Sequence, residues 1–394
     1  MLANTGSIFL IFLRLGCTSF GGPIAHLGYF REEFVARRKW LSDVAYADLV
    51  ALSQFVPGPA SSQTGFAIGL MRGGLPGALA AFAGFTFPSA LLMVLAAYGL
   101  SLAEGDIGQG LIHGLKLLAI AVVAQAVWSM GRSLCPDTPR AAFAMVVAAV
   151  LIAAPSGALQ LGAIFAGALF GLAVLRPDVQ ASEEALGARV PRSAATLSLV
   201  LFFALLFGLP FAEAASSEGS LALWRAFYQA GALVFGGGHV ILPLLEGATV
   251  RPGWIEADAF LAGYGAAQAL PGPLSTFAAF IGALSSVGPG GVAGAGLALA
   301  AIFLPGFLLM YGAVPFWDSL RRNITARAAL GGVNTAVVGI LGAALYNPIW
   351  TGTVARPADA AFALLLFAAF ALLKVPVVLV VLLAGLGGVA LQAV

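Results

Sequence analysis

The chain has 394 residues, 60% of them hydrophobic and 9% charged, with a mean hydropathy of +0.99, against roughly 25% charged residues in a soluble domain. That composition specifies an all-α polytopic membrane protein. Its net charge of +2 comes from sparse residues in short loops, which excludes a nucleic-acid partner, since that requires a dense basic face.

The N-terminal stretch "MLANTGSIFLIFLRLGCTSFGG" has no basic residue ahead of its apolar run, is interrupted by Arg14 and lacks a small-residue cleavage site. It reads as part of the mature protein. Cys17 and Cys135 lie far apart and outside any CxxC pair, so they form neither a disulfide framework nor a thiolate metal site.

Apolar segments follow at about 7–30, 44–71, 75–103, 107–131, 141–155, 157–175, 196–215, 221–245, 259–286, 290–317, 326–350, 358–374 and 375–394, judged on a spanning length of ~20 residues. The polar stretch 176–195 leaves six of these segments before it and seven after.

The two halves match in order. "QFVPGPASSQTG" at 54–65 returns 214 residues later as "QALPGPLSTFAA"; "FGGP" at 20–23 answers "FGGGH" at 235–239; "PSALLM" from Pro88 answers "PGFLLM" from Pro305. Trp40 and Trp254 each stand fourteen residues before the paired glutamines, and segment 196–215 is unmatched. The expected organisation is a first repeat at 1–175, a polar linker and extra helix at 176–215, and a second repeat at 216–394.

One extra crossing between repeats of even crossing number inverts the second, an arrangement that transporters use around a midplane site. With Arg72, the Arg132–Arg140 loop, the 176–192 linker and the Arg321–Arg327 loop cytoplasmic, the positive-inside rule holds from residue 72 onward. Upstream, the loop with Arg31, Arg37, Arg38 and Lys39 falls inside only if 7–30 and 44–71 both dip in and return. Both are therefore expected to be broken, re-entrant segments.

The chemistry follows from the breaks. Proline cannot donate a backbone hydrogen bond, so a helix ends at Val56 and a new one begins near Pro59, inside the membrane. Unpaired N–H groups at such a terminus carry about half a positive charge and cradle anions. Ser61, Ser62 and Thr64 add hydroxyl donors there, as Ser275 and Thr276 do in the second half. Gly21, Gly22, Gly236, Gly237 and Gly238 would let backbone donors approach a ligand. Four breaks together bring roughly two positive charges of dipole, which suits a dianion.

Charges inside spans are costly and are candidates for function. Arg14 and Lys116 are the deep basic residues of the first half, expected to face the site. Arg72 and Arg225 fall near segment ends, where they can snorkel. His26 and His239 each follow a glycine-rich break and could donate to an anion or carry a proton. Asp48 could pair with Arg14 or relay protons. Glu32, Glu33 and Glu246 read as solvated loop residues. No HExxH, GxSxG, GxxxxGK[ST] or aspartate-rich metal motif occurs, so no enzyme activity, cofactor or metal is expected.

The stretches "FGGPIAHLGYFREEFVARRKWL", "ALSQFVPGPASSQTGFAIGLMRGG", "FGGGHVILPLLE" and "QALPGPLSTFAAFIGAL" resemble the long-chain, two-domain type of the chromate ion transporter family, from about residue 7 to 350. The resemblance implies an inner-membrane secondary transporter that exports chromate, coupled to the proton gradient and conferring chromate resistance, with sulfate as the related tetrahedral dianion. By matching motif it implies functional roles for Arg14; Gly21, Gly22, Pro23 and His26; Gln54, Pro57, Gly58, Pro59 and Ser61; Gly236 to His239; and Gln268, Pro271, Gly272, Pro273 and Ser275. Chromate or sulfate and the lipid bilayer are the expected partners, with a homodimer left open. Another oxyanion transporter and a gradient-driven anion channel are the alternatives.

Overall fold

A computed structural model describes residues 4–101, 105–176, 190–216, 218–235 and 238–392. The first apolar segment is two helices. α1 (Thr5–Thr18), capped by the Asn4 side chain, ends where Ser19 turns extended, and α2 (Gly22–Arg31) restarts after Gly21 with Pro23 in its first turn. α2 continues as a π-helical stretch, Glu32–Arg37. α3 (Asp43–Phe55), capped by Ser42, stops at the extended Val56. α4 (Ala60–Ser101) begins after the PGP and folds back at Gly73 and Gly74, where the backbone is not helical, giving arms 60–72 and 75–101. α1 and α3 have 14 and 13 residues, about 20 Å each, short of a ~30 Å hydrocarbon core.

The start of α1 and the chain ahead of α3 both meet the turn of α4. α1 runs alongside the second arm of α4 in the same direction, with Ile8 against Gly77 and Gly16 against the Phe85 carbonyl. Trp40, ahead of α3, lies 5.1 Å beneath the guanidinium of Arg72, at the end of the first arm. Between them Arg37 and Arg38 both pair with Glu33. Burial would raise the Glu33 carboxyl, but the two arginines outweigh it and hold it below its ordinary value.

α5 (Gly105–Leu134), α6 (Thr138–Ala153) and α7 (Gly157–Val174) complete the first half, and α8 (Arg192–Ala214) follows the linker. The second half opens with α9 (Gly219–Ala232) and α10 (Ile241–Leu245), the latter between a 3-10 turn, Gly238–Val240, and a π-helical stretch, Glu246–Val250. Next come α11 (Ala257–Ala269), a 3-10 turn at Leu274–Thr276, α12 (Phe277–Leu284) and α13 (Gly291–Ala313). α14 (Trp317–Arg322), α15 (Ile324–Ala344), α16 (Pro357–Phe367) and α17 (Val377–Gln392) finish it.

The second half repeats the contacts of the first. α9 runs with α13, Gly219 against Gly288 and Gly231 against the Ile302 carbonyl. The Ser286 N–H, at the turn between α12 and α13, donates to the Trp254 carbonyl at 2.9 Å, as Arg72 meets Trp40. The hairpin between the arms of α4 closes where Gly69 meets Gly77 and Ala81, and α12 closes on α13 where Gly282 meets Gly294 and Ala298. Small residues let such backbones touch, the usual basis of helix association in lipid.

The halves interlock. α5 of the first half packs on α17 of the second through Gly110, Gly114 and Gly388, while α15 packs on α7 through Gly332, Gly167 and Gly171. The second arm of α4 and its counterpart α13 cross in opposite directions, with Phe82 5.0 Å from Phe303 and the Tyr98 hydroxyl over Gly291.

Among the described residues, six helical stretches are long and apolar enough to cross a membrane, Ala60–Leu100 being counted as one across its fold at Gly73 and Gly74: Ala60–Leu100, Gly105–Leu134, Gly157–Val174, Arg192–Ala214, Gly291–Arg322 and Ile324–Trp350. α8, the one without a counterpart, ties itself to α13 by a Ser198 hydroxyl bond to the Leu308 carbonyl, 2.9 Å, and turns Leu197, Phe207 and Phe211 outward.

Candidate functional site

In a Pro-Gly-Pro the glycine carries the only backbone N–H, and here both such donors are spent across the halves. Gly58 donates to the Val234 carbonyl at 2.7 Å and Gly272 to the Ser19 carbonyl at 2.9 Å. Val234 and Ser19 each immediately precede an FGG. Each PGP therefore docks on the residue ahead of the other half's FGG.

The φ angles, 135° at Gly58 and 97° at Gly272, are ones that side chains disfavour. Space is also absent: a Cβ on Gly58 would lie 3.1 Å from the Gly306 Cα, and one on Gly272 2.8 Å from the Ser89 hydroxyl. Gly306 and Ser89 hold matching places in PGFLLM and PSALLM. The expected cradle is thus corrected in part: the PGP glycines brace the crossing. The donors left at the start of α4 are the N–H groups of Ala60, Ser61 and Ser62, which have no partner among the described residues.

His26 joins the two breaks of the first half. It is fully buried, its Nε2 3.2 Å from the Ser19 carbonyl and its Nδ1 3.4 Å from the Ser61 hydroxyl. A carbonyl only accepts, so Nε2 carries the proton, and Nδ1 of the neutral ring accepts from Ser61. The ring meets Phe85 edge-on at 5.3 Å. Thr64 bonds to Ser53 at 2.9 Å, and Gln63 donates from Nε2 to the Pro57 and Gly306 carbonyls at 2.8 and 3.1 Å. The hydroxyls of Ser19, Ser62 and Thr86 are buried and have no partner among the described residues.

The second half is built differently. His239 Nδ1 lies 2.9 Å from the Tyr264 hydroxyl, and Thr276 spends its hydroxyl on the Pro273 carbonyl at 2.8 Å. Ser275 is buried, and the Gln268 side chain, its amide nitrogen also buried, lies by the Tyr264 hydroxyl; Gln54, its counterpart, is exposed. Gly236 and Gly237 lie outside the described residues.

The charges fall into pairs that sequence order does not suggest. Asp48 binds Arg321 at 3.0 Å, not Arg14. Lys116, expected to face the site, gives its ammonium to Asp258 at 2.6 Å. Glu246 is a correction: it is buried, 3.4 Å from Arg251, because the π-helical stretch turns it inward. Arg225 pairs with Glu213. Arg14 is exposed and has no ion-pair or side-chain hydrogen-bond partner among the described residues.

Sequence reasoning missed Ser19, Gln63, Thr86 and Ser89. Thr86 and Ser89 flank or belong to the PSALLM repeat, which was the available signal.

The two halves and the two breaks correspond to a duplicated sequence profile, that of the chromate transporters, which matches residues 6–172 and again 221–389. The chain belongs to the chromate transporter family. The family matches leave out the polar linker and α8, the portion without an internal counterpart. A probable chromate transport protein of Synechococcus elongatus is 30% identical over 337 residues, covering 85% of this chain and 82% of that protein. A chromate transport protein of Pseudomonas aeruginosa is 29% identical over 393 residues, covering 97% and 91%. One of Cupriavidus metallidurans is 28% identical over 339 residues, covering 85% and 80%. No solved structure matches.

Proposed function

We propose that this protein is a secondary transporter that exports chromate across the inner membrane, driven by the proton gradient and conferring chromate resistance. The observation that carries this reading is the crossing of the two PGP tips at the inner ends of half-length helices. There, donors at the start of α4 have no partner among the described residues and can replace water around an anion. Membership in the chromate transporter family supplies the substrate class, and chromate is the named cargo of the relatives above.

The half-length helices are re-entrant in this reading. Support comes from the return of the chain to Trp40 and Arg72, which lie together, and to Trp254 and Ser286, which are bonded. This puts the basic loop at 31–39 on the Arg72 side, as the positive-inside rule asks. Inversion of the halves is supported by the opposite directions of the second arm of α4 and α13, and by reciprocal contacts of the kind a two-fold axis produces. Cysteines placed at Lys39 and Arg72 should both label from the cytoplasm. Labelling of Lys39→Cys from outside sinks the re-entrant reading.

Inverted vesicles holding the protein should take up labelled chromate faster with an imposed pH gradient. Flux that follows only the membrane potential would favour the anion channel, and a preference for sulfate would favour the other oxyanion transporter. Arg14 is the cation within the first apolar segment, and it has no ion-pair partner among the described residues. A guanidinium stays protonated and offers forked donors to two oxygens, so Arg14→Ala should abolish nearly all uptake and Arg14→Lys most of it, at matched expression. Arg225→Ala, which leaves the site untouched, should remain largely active. Wild-type transport by Arg14→Ala leaves the backbone and hydroxyl donors as the whole site.

A further inference from the structure

We infer that the oxyanion site belongs to the first half alone, and that the hydroxyls of Ser19, Ser62 and Thr86 are its specificity-determining donors, the second half contributing the PGP tip that closes it. This deepens the transport reading and rests on it.

Duplication supplies an internal control. Each position in the crossing has a sequence counterpart, although the second half has a 3-10 turn at Leu274–Thr276 where the first has α-helix from Ala60; a residue type that any such break needs should recur. Ser19 precedes the first FGG, and Val234 precedes the second. Thr86 stands two residues ahead of Pro88, and Phe303 two ahead of Pro305. Ser62 matches Thr276, whose hydroxyl is already spent on Pro273. His26, four residues after Gly22, matches Ile241, four after Gly237. The second half folds into the same crossing with valine, phenylalanine, isoleucine and a satisfied threonine. Hydroxyls at these particular positions are therefore not needed for a crossing of this kind; the second half carries other polar groups there, His239 with Tyr264 and the Gln268 amide.

All three hydroxyls are buried, Ser19 at 0%, Ser62 at 3% and Thr86 at 4% exposure, and none has a partner among the described residues. Unsatisfied buried donors are destabilising and rare in native folds. Each is, or stands next in sequence to, a residue that touches His26. Ser19 gives it a carbonyl, Ser62 follows the Ser61 that bonds it, and Thr86 follows the Phe85 whose ring it touches. His26 has both nitrogens engaged, so it is a positioning residue that holds Ser19 and Ser61 in place. Gly272 seals the cluster, its N–H on the Ser19 carbonyl and its Cα against Ser89.

Neutral O–H donors suit a transported ion. They replace water around the oxygens of a tetrahedral divalent oxyanion.

The test is the purified full-length protein in lipid nanodiscs, with equilibrium binding of labelled chromate, transport in proteoliposomes and thermal unfolding measured on each variant. Thr86→Val, Ser62→Ala and Ser19→Ala should each weaken chromate binding and raise KM about tenfold, the effect of one hydrogen bond to a charged group. The unfolding temperature should stay the same or rise, because an orphaned hydroxyl is removed. Thr86→Ser should retain binding, and Ser198→Ala, at the hydroxyl between α8 and α13, should change nothing. A merely structural role predicts the opposite sign: a lower unfolding temperature with KM unmoved.

Binding within twofold of wild type in both Thr86→Val and Ser62→Ala, with wild type transporting chromate, overturns this inference and leaves the transport reading standing. Loss of binding in Thr86→Ser as well as Thr86→Val, with unfolding temperature lowered in both, also overturns it. Wild-type protein that neither binds nor moves chromate or sulfate overturns the transport reading itself, and this site with it.

Discussion

α3 and α11 are the same helix in the two halves, each of 13 residues and each leading into a PGP, yet they are seated differently. α11 lies against α5: Gly265 rests on the Leu115 carbonyl, Leu261 is 2% exposed, and Asp258 holds Lys116. The matching residues of α3, Val44, Ala47, Ala51 and Gln54, are all exposed. α3 is held instead by Asp48, through the buried pair with Arg321. One backbone unit can thus be closed against its neighbour or left open along the same face. The difference lies in side-chain partners and not in the hairpin itself, which is the property a half-length, movable element needs.

The largest effect should come from what the two regions share. Gly58→Val and Gly272→Val each force a β-branched side chain into a positive φ and into the opposing half, costing about 3 kcal/mol or more. Both should lose transport and unfold at lower temperature. A tolerated Gly272→Val beside a lethal Gly58→Val would show that the crossing is not reciprocal.

Next is the pair that distinguishes them. Asp48→Asn takes the buried carboxylate from Arg321 and leaves it only the exposed Asp318 at 2.7 Å, a change worth about 3 kcal/mol, the low end for a broken buried pair. Asp258→Asn touches a carboxylate that is 69% exposed, where screening limits the loss to about 1 kcal/mol. Thermal unfolding of the two variants should separate clearly, and equal shifts would mean that α3 and α11 are anchored alike.

The smallest effect sharpens the comparison of faces. Gly265→Leu drives a side chain into the Leu115 carbonyl and should cost about 1–3 kcal/mol, while exposing a cysteine placed at Leu261 to labelling. Ala51→Leu, at the equivalent point of α3, should be nearly neutral, within about 0.5 kcal/mol. If Ala51→Leu is as damaging as Gly265→Leu, the exposed face of α3 is packed in the membrane after all.

Much of this was legible in one dimension because the signals are local. Proline removes a donor and ends a helix wherever it falls, so the breaks at Val56 and Leu270 could be read directly. Apolar length sets which helices can span, and duplication could be read by matching residues to residues. The sign of short loops is what leads to the proposal of re-entry. The polar partners were not. In helices apolar on every side no periodicity marks the inward face, so nothing in the order of residues pairs Asp48 with Arg321 or Lys116 with Asp258.

The amino-acid sequence by itself therefore determined the helical membrane class, the repeat, the extra α8 and the places where helices must break. Each of those follows from the composition or covalent chemistry of a short stretch. Only the tertiary structure decided that each PGP docks on the other half, that Glu246 is buried while Arg14 is exposed, and that the hydroxyls of Ser19, Ser62 and Thr86 lack partners. Burial and hydrogen bonding depend on which distant segments meet, and those meetings are set by close glycine contacts between helices more than 200 residues apart, such as Gly114 with Ala384.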